Sequence, residues 1–355
     1  MKQKRILLIY TYFGTNKGSY STRLYEFSKY WIENGYSVEV ITAPHNKTDI
    51  KTNKFIETKY IDGIKVTLIN TPDNNKNNFF HRALNTLLFS VISSFLSLFR
   101  TYDIILCSSG PISVGIPLII SRLFKSKKII FEVRDLWPSG GVQFGIFKNK
   151  LLIYFLFLFE ELLYNCSHAI VTLSIGQKKD IISRFPRFEN KIYVITQISN
   201  NELYDSIEIN IDYKSRYGNM LVHVGGIGPI HNVGYWIEIA LELNKLVNNY
   251  SFIFIGDGPE KNELENKTKY LGLKNIYFLG SMNKKMVVPW FKSSYAALFS
   301  TTAHPVQQTC SPNKLFDSFA AGVPVIQTST GWIKDEIQNE NCGISLDLHN
   351  IKESA

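Results

Sequence analysis

The sequence predicts an α/β protein made of two doubly wound, Rossmann-like domains facing a cleft. Three observations carry that expectation. Apolar strand-like runs alternate with helical segments along the chain. The alternation lapses in a polar stretch, "QISNNELYDSIEINID" (197–212), and then restarts. Several strand runs end directly in glycine-rich turns, as at "VHVGGIG" and "FIFIGDG". Alternating β and α units wind parallel sheets right-handedly, and two such series imply two sheets. The chain has 355 residues, 45% of them hydrophobic, which is ample for two cores. The boundary is placed at 200/201.

In the first half, "RILLIYTYF" is a continuous apolar run of the kind found in buried parallel strands. The loop "GTNKGS" follows, then a helix over "YSTRLYEFSKYWIENG" closing at Gly35. "SVEVITA", "YDIILCSS", "KKIIFEVRD", "AIVTLS" and "KIYVITQ" continue as strands. In the second half the strands are "MLVHVGGIG", "SFIFIGDG", "NIYFLGS", "YAALFST" and "VPVIQT". The helices between them are "VGYWIEIALELNKL", "PEKNELENKTKYLG" and "KKMVVPWFKSS". Ligands of such sheets sit at the carboxyl ends of the strands, which in a two-domain protein means the cleft between the domains.

Composition excludes several classes. Cys107, Cys166, Cys310 and Cys342 are far apart and form no CxxC pair, so neither a disulfide framework nor a zinc module is expected, and a reducing cytoplasm fits. The basic-then-apolar start "MKQKRILLIY" lacks a small-residue cleavage site and reads as a first strand rather than a signal peptide. The net charge of +9 is uneven. Residues 1–200 carry 26 Lys and Arg against 14 Asp and Glu, and residues 201–355 carry 13 against 16. A domain at +12 faces an anionic surface. No nucleic-acid motif accompanies the charge, so nucleic acid is not expected as a partner and an anionic membrane leaflet is. Two strongly apolar segments, 84–99 and 151–164, are shorter than the roughly 20 residues of a membrane span or contain polar breaks. They read as core helices covering the first sheet. The alternative is that one shows an apolar strip to lipid, flanked by His81, Arg82 and Arg100.

The stretch "SPNKLFDSFAAGVPVI" (311–326) holds the most chemistry. Ser311 reads as an N-cap and Pro312 as the first helical residue. Such a start leaves N–H groups and the positive end of the helix dipole outward. Asn313, Lys314 and Leu315 occupy the first turn, and Asp317 and Ser318 fall three and four residues after Lys314, on one helix face. The pattern suits a phosphate at the N–H groups and Lys314, with Asp317 on neighbouring hydroxyls. An ordinary well-capped helix reads the same way.

Together "VGGIGPIHNVG", "FIFIGDGPEKNELE", "IYFLGS" and "SPNKLFDSFAAGVPVI" resemble the donor half of retaining family 4 glycosyltransferases of GT-B fold. "FEVRDLWPSGGVQFG" and "YIDGIKVTLINTP" resemble the bacterial subgroup that builds O-antigen and capsule units, the fucosaminyl-transferase-like proteins. The resemblance implies Lys314 on the donor diphosphate and Asp317 on the ribose. It also implies Gly280 and Ser281 at the base, and Gly226, Gly228, Gly256 and Gly258 in the turns beside the nucleotide. Gly14, Lys17 and Gly18 would form a glycine loop approaching the donor phosphates, although an ordinary βα turn has the same composition. Arg134 and Asp135, at a strand end, are the candidate catalytic pair, and a local ion pair is their structural alternative.

Retaining enzymes of this fold need no metal or other cofactor, and the chain has no DxD at a strand end. The implied substrates are a UDP-linked nucleotide-sugar and a polyprenyl-diphosphate-linked sugar at the inner membrane face. Two positions depart from the family pattern. A second cation usually follows the first donor-domain strand, where this chain has Pro229, with His231 two residues on. The first glutamate of the family's two-glutamate motif is Thr309, and the second is Asp317. The chain also stops at Ala355, short of the terminal helices the resemblance implies. A non-catalytic relative that binds or scaffolds, and more weakly a sugar-nucleotide 2-epimerase, share the same fold.

Overall fold

The computed structural model describes residues 3–72, 79–247 and 249–355. Met1 and Lys2, the basic start of the expected first strand, lie outside the described residues. The chain divides into two compact units, Met1–Thr196 and Gln197–Ala355.

Among the described residues the first unit is built on eight strands: β1 (Arg5–Ile9), β2 (Ser37–Thr42), β3 (Ile56–Ile61), β4 (Ile64–Ile69), β5 (Ile104–Ser108), β6 (Lys128–Val133), β7 (Ala169–Thr172) and β8 (Ile192–Val194). Their order is β3-β4-β2-β1-β5-β6-β7-β8. All pairs are parallel except β3–β4. The central strands are apolar on both sides because helices cover both faces of such a sheet. Leu8, Ile9, Val40, Ile41 and Ile105 are fully buried. The antiparallel hairpin is an addition to the strands read from the sequence. Its turn is Asp62-Gly63, both at positive φ, the two-residue connection that matches strand twist. β3 escapes notice because it is an edge strand with no fully buried residue, so it has no apolar run.

The two apolar helices correct the core-helix expectation. The first runs Phe79–Phe99, starting before the predicted 84. At 21 residues it is long and apolar enough to cross a membrane by length and composition. Its faces are reversed relative to an ordinary surface helix. Thr86, Ser90, Ser93, Ser94 and Ser97 are buried together with Phe89, and Leu84, Leu88, Val91, Phe95 and Phe99 are exposed. The buried hydroxyls are satisfied within the helix: Ser90 Oγ donates to the Thr86 carbonyl at 2.7 Å and Ser94 Oγ to the Ser90 carbonyl at 2.6 Å. Small serines let helix Ile116–Phe124 approach closely. The second apolar helix, Lys150–Cys166, exposes Leu151, Phe155, Leu158 and Leu162 and turns Glu160, Leu163 and Tyr164 inward. Glu160 is held there by Arg184.

Among the described residues the second unit carries six parallel strands: β9 (Asn219–Val224), β10 (Tyr250–Ile255), β11 (Ile276–Gly280), β12 (Ala296–Phe299), β13 (Val325–Gln327) and β14 (Gly343–Ser345). The order β11-β10-β9-β12-β13-β14 places the topological switch point between β9 and β12. The polar stretch 197–212 is structured at its centre. A helical turn, Asn201–Asp205, sets Tyr204 into the core with Trp290 and Phe291.

Candidate functional site

The helix after β12 corrects the predicted cap. It runs Asn313–Ala320, with Pro312 as N-cap in extended conformation and no side-chain capping bond. Proline fixes φ and has no N–H to lose, so it serves as the boundary itself. Ser311 Oγ instead accepts a long 3.4 Å bond from the Gln197 N–H. Leu315 is also corrected as a donor contact. Its side chain is 1% exposed in the core, and its N–H is bonded to the Pro312 carbonyl.

Lys314 extends from this helix to the switch point. Its Nζ lies 5.7 Å over the ring of Phe299, the last residue of β12. It stands 3.0 Å from where a Cβ on Gly225, just past β9, would sit. The amine is buried and has no hydrogen-bond partner. Burial pulls its pKa down to about 8, slightly offset by Cys310. An unpaired buried ammonium is costly, and an anion seated beside it would remove that cost.

The surrounding groups are donors or neutral. His231 packs on Gly226, its Nε2 2.7 Å from the position of a Gly226 Cβ. His223 is fully buried, and burial, Lys314 and His231 together hold its pKa well below the usual imidazole range. Thr301 and Thr302, just past β12, bury hydroxyls that lack partners.

The glycines 256 and 258 serve packing. A Cβ on Gly256 would meet the Gly225 carbonyl oxygen at 1.7 Å, and one on Gly258 the Ile227 carbonyl oxygen at 2.0 Å. The turns after β9 and β10 thus lie backbone to backbone, as Gly225 and Ile227 N–H groups donate to Ile255 and Asp257. Gly228 faces Pro259 at ordinary contact distance. Gly280 accepts from the Gly256 N–H, and Ser281 beyond it is exposed.

Asp317 does not meet the Lys314 amine. Its Oδ1 is ion-paired with Lys284 and accepts from Ser199 Oγ at 2.7 Å. The helix face shared by Lys314 and Asp317 in sequence is therefore divided between two surroundings.

In the first unit the predicted glycine loop is corrected. The amides of Thr15, Lys17 and Gly18 are already engaged. Thr15 N–H donates to Asp49 Oδ1 at 2.8 Å and Thr15 Oγ1 to Asp49 Oδ2 at 2.7 Å. Lys17 N–H donates to Thr15 Oγ1, and Gly18 N–H to the Thr15 carbonyl. Gly14 and Gly18 are needed because a Cβ on either would press on Asp49 Oδ1, at 3.1 and 3.2 Å. The Asp49 carboxylate is bound at the loop through Thr15, and the exposed Lys17 side chain lies outside that arrangement.

Arg134 follows β6. Its N–H donates to Ser109 Oγ at 3.0 Å, and its carbonyl accepts from Gln177 Nε2 at 2.8 Å. Its guanidinium stacks 5.0 Å over Tyr10, with Nη1 buried and unpartnered. No close ion pair joins it to Asp135 among the described residues, although the two charges attract each other. Asp135 is exposed, yet protein crowded around its carboxyl raises its pKa against the pull of Arg134.

Two family models match the chain, "Glycosyltransferase Family 4" over residues 21–197 and "Glycosyl transferases group 1" over 218–355. The chain belongs to the family 4 glycosyltransferases. It is 22% identical to an uncharacterized glycosyltransferase of Methanocaldococcus jannaschii, over 78% of this chain and 70% of that one. A shorter match, 31% identical over 27% of this chain and 26% of the other, is to a Campylobacter jejuni protein. That protein is named GalNAc-alpha-(1->4)-GalNAc-alpha-(1->3)-diNAcBac-PP-undecaprenol alpha-1,4-N-acetyl-D-galactosaminyltransferase. Among solved structures, Anabaena HepE in complex with UDP and glucose superposes with a TM-score of 0.67. It is 14% identical, and the match covers 99% of this chain and 88% of that one. The fold is GT-B, two Rossmann-like domains, as the sequence predicts.

Several residues of this glycosyltransferase were outside the sequence reading. Lys284 and Ser199 hold Asp317 from 33 and 118 residues away. Thr301 and Thr302 had a local signal, since they follow a strand at its carboxyl end. Among the described residues no three His, Cys, Asp or Glu side chains gather as a metal site.

Proposed function

We propose that this glycosyltransferase moves a hexosyl or N-acetylhexosaminyl group from a UDP-linked donor to a polyprenyl-diphosphate-linked glycan, with retention and without a metal. The setting is bacterial surface-polysaccharide assembly, such as O-antigen or capsule, with the protein peripheral on the inner face of the membrane. The observation that carries this reading is the Lys314 amine, buried and unpartnered at the switch point of the second sheet. A nucleoside diphosphate is the ligand whose charge such an amine would meet. The UDP in the HepE complex and the undecaprenyl diphosphate in the Campylobacter protein's name support the substrate classes.

In the reaction, the bond between the anomeric carbon and the diphosphate oxygen breaks. The acceptor oxygen bonds to the same face of the sugar, and its proton passes to the leaving phosphate. Lys314 and the amino end of the helix at 313 would offset the charge that develops on the diphosphate. Arg134 and Asp135 would act on the acceptor side.

A non-catalytic binding subunit is the second reading, favoured by the occupied Asp317 Oδ1, which a ribose would have to share with Lys284. Calorimetry with UDP and GDP on the full chain separates the two. Heat with either nucleotide, lost in Lys314→Met, is expected, and a panel of nucleotide-sugars then identifies the donor. Absence of binding at millimolar nucleotide in folded protein removes the enzyme reading.

A further inference from the structure

The amino ends of the first sheet's strands carry a feature that catalysis leaves unused. A cavity of about 390 Å³ lies there, lined by Arg122, Lys125, Lys127, Lys128, His168 and Asp103. Asp103 immediately precedes β5, Lys128 opens β6, and His168 immediately precedes β7. The one acid is engaged elsewhere: Asp103 accepts the Arg5 N–H at 2.9 Å and lies 3.5 Å from its guanidinium. Arg122, Lys127 and Lys128 have no ion pair among the described residues. His168 accepts the Ile129 N–H at Nδ1, 3.1 Å, which makes its Nε2–H a neutral donor. A neighbouring recess of about 310 Å³ sets Arg5, Lys65 and Arg100 against the single acid Glu39, but each of its three cations is ion-paired. There Glu39 pairs with Lys65 at 3.2 Å and Arg100 at 3.1 Å.

The unpaired cavity adjoins the reversed helix faces. Lys125 Nζ donates to the Arg100 carbonyl at 2.7 Å, just past the Phe79–Phe99 helix. Phe99 is 73% exposed, and Leu123 and Phe124, which end the helix beside the cavity, are each 69% exposed. Helix 116–124 packs against both 79–99 and 150–166, so the apolar stripes of the outer two flank it. Apolar side chains outward with serines inward fit a medium less polar than water. Cations clustered beside such a surface fit its anionic headgroups.

We propose that this cavity binds the phosphate of an anionic phospholipid headgroup while the exposed stripes of helices 79–99 and 150–166 enter the acyl boundary. The proposal rests on the reading of a membrane-attached transferase and names the part of the surface that selects the lipid. Arg122 supplies a planar pair of donors to the phosphate oxygens, and Lys127 and Lys128 supply point charges.

The test is sedimentation of the full chain with phosphatidylcholine vesicles, with and without phosphatidylglycerol, in the absence of donor and acceptor. Arg122→Gln/Lys127→Gln should lower partition onto the anionic vesicles about tenfold or more. Lys54→Gln/Lys179→Gln removes the same charge from exposed positions of the same unit and should change it little. Equal losses in the two pairs would mean diffuse attraction and overturn the site. Leu88→Ser/Phe95→Ser should weaken binding to both vesicle types, and unchanged binding would overturn the docked face. Inorganic phosphate at millimolar concentration should give no heat with wild type, whereas micromolar binding would assign the cavity to a free anion instead. Nucleotide calorimetry on the same preparation keeps a failure here distinct from a failure of the transferase reading.

Discussion

Each unit has a sheet with a switch point, and the two crevices are filled in opposite ways. In the first sheet it lies between β1 and β5, where Tyr12 packs so closely on Gly110 that a Cβ there would meet its ring at 2.7 Å. Tyr10, Tyr20 and His45 surround Tyr12, and Asp49 accepts the Thr15 amide and hydroxyl of the following glycine loop. In the second sheet the crevice between β9 and β12 receives Lys314, an amine with no partner. The same doubly wound geometry therefore supplies one crevice packed with aromatic rings, with Arg134 stacked at its side, and one that holds an unpartnered amine. The difference comes from side chains reaching in from neighbouring loops, since both strands end in glycine-containing turns.

The largest expected effect is on that amine. Lys314→Met removes one charge-assisted contact, on the order of 1.5–3 kcal/mol, so nucleotide affinity should fall roughly ten- to hundred-fold. The same change removes an unsolvated charge, so the ligand-free protein should melt a few degrees higher. Lys17→Met, in the closed loop, should alter neither quantity. Calorimetry and thermal melts check both, and equal losses for Lys17 and Lys314 would erase the contrast between the crevices.

The pH dependence sharpens the same point. With its pKa lowered to about 8, Lys314 is charged below that pH and neutral above it. Nucleotide affinity should be flat below pH 8 and fall about tenfold per unit above it, and the slope should vanish in Lys314→Met. Stability of the ligand-free fold runs the other way. Between about 8 and the ordinary lysine value, the unfolded chain binds the extra proton, so stability contributed by this group rises with pH. A nucleotide affinity independent of pH through that window would remove the amine from the site.

A smaller effect is expected in the first unit. Asp49→Asn keeps the size of the side chain but removes the charge from two bonds to Thr15. The expected cost is about 1–2 kcal/mol in stability, with nucleotide affinity unchanged. Denaturant titration and calorimetry on one preparation measure both. A change in affinity would bring the glycine loop back into the donor site.

The strands were legible because buried parallel strands are continuous apolar runs, and Lys314 because a proline-started helix after a strand points its first turn at a strand end. What escaped depends on distant residues. "GTNKG" and "GGIGP" look alike until Asp49, 34 residues past Thr15, closes the first. Asp317 shares a helix face with Lys314, but Lys284 claims it from another helix. The Phe79–Phe99 helix has an apolar stripe that spacing reveals, yet spacing does not say which stripe faces the sheet. Its serines fit inward because their hydroxyls bond back to the helix.

The smallest expected effect concerns the position where the family carries a second cation. Pro229 is exposed and opens a short 3-10 turn, Pro229–His231, after the glycines of β9. Its ring already sets the φ that the turn uses, so replacing it costs some rigidity, roughly 0.4–1 kcal/mol. An arginine there would stand on the loop that backs Lys314, two residues before His231. One added charge-assisted contact would be worth about 1.5–3 kcal/mol if it formed without cost. Ordering a long exposed side chain and losing proline's rigidity offset much of that. Pro229→Arg should therefore tighten nucleotide binding by no more than about tenfold. The gain should also shrink with added salt, because the new charge is exposed where Lys314 is not. Calorimetry at two salt concentrations reads both quantities. A tightening that salt leaves untouched would mean that the substitution rearranged the loop around Lys314 rather than adding a charge to it.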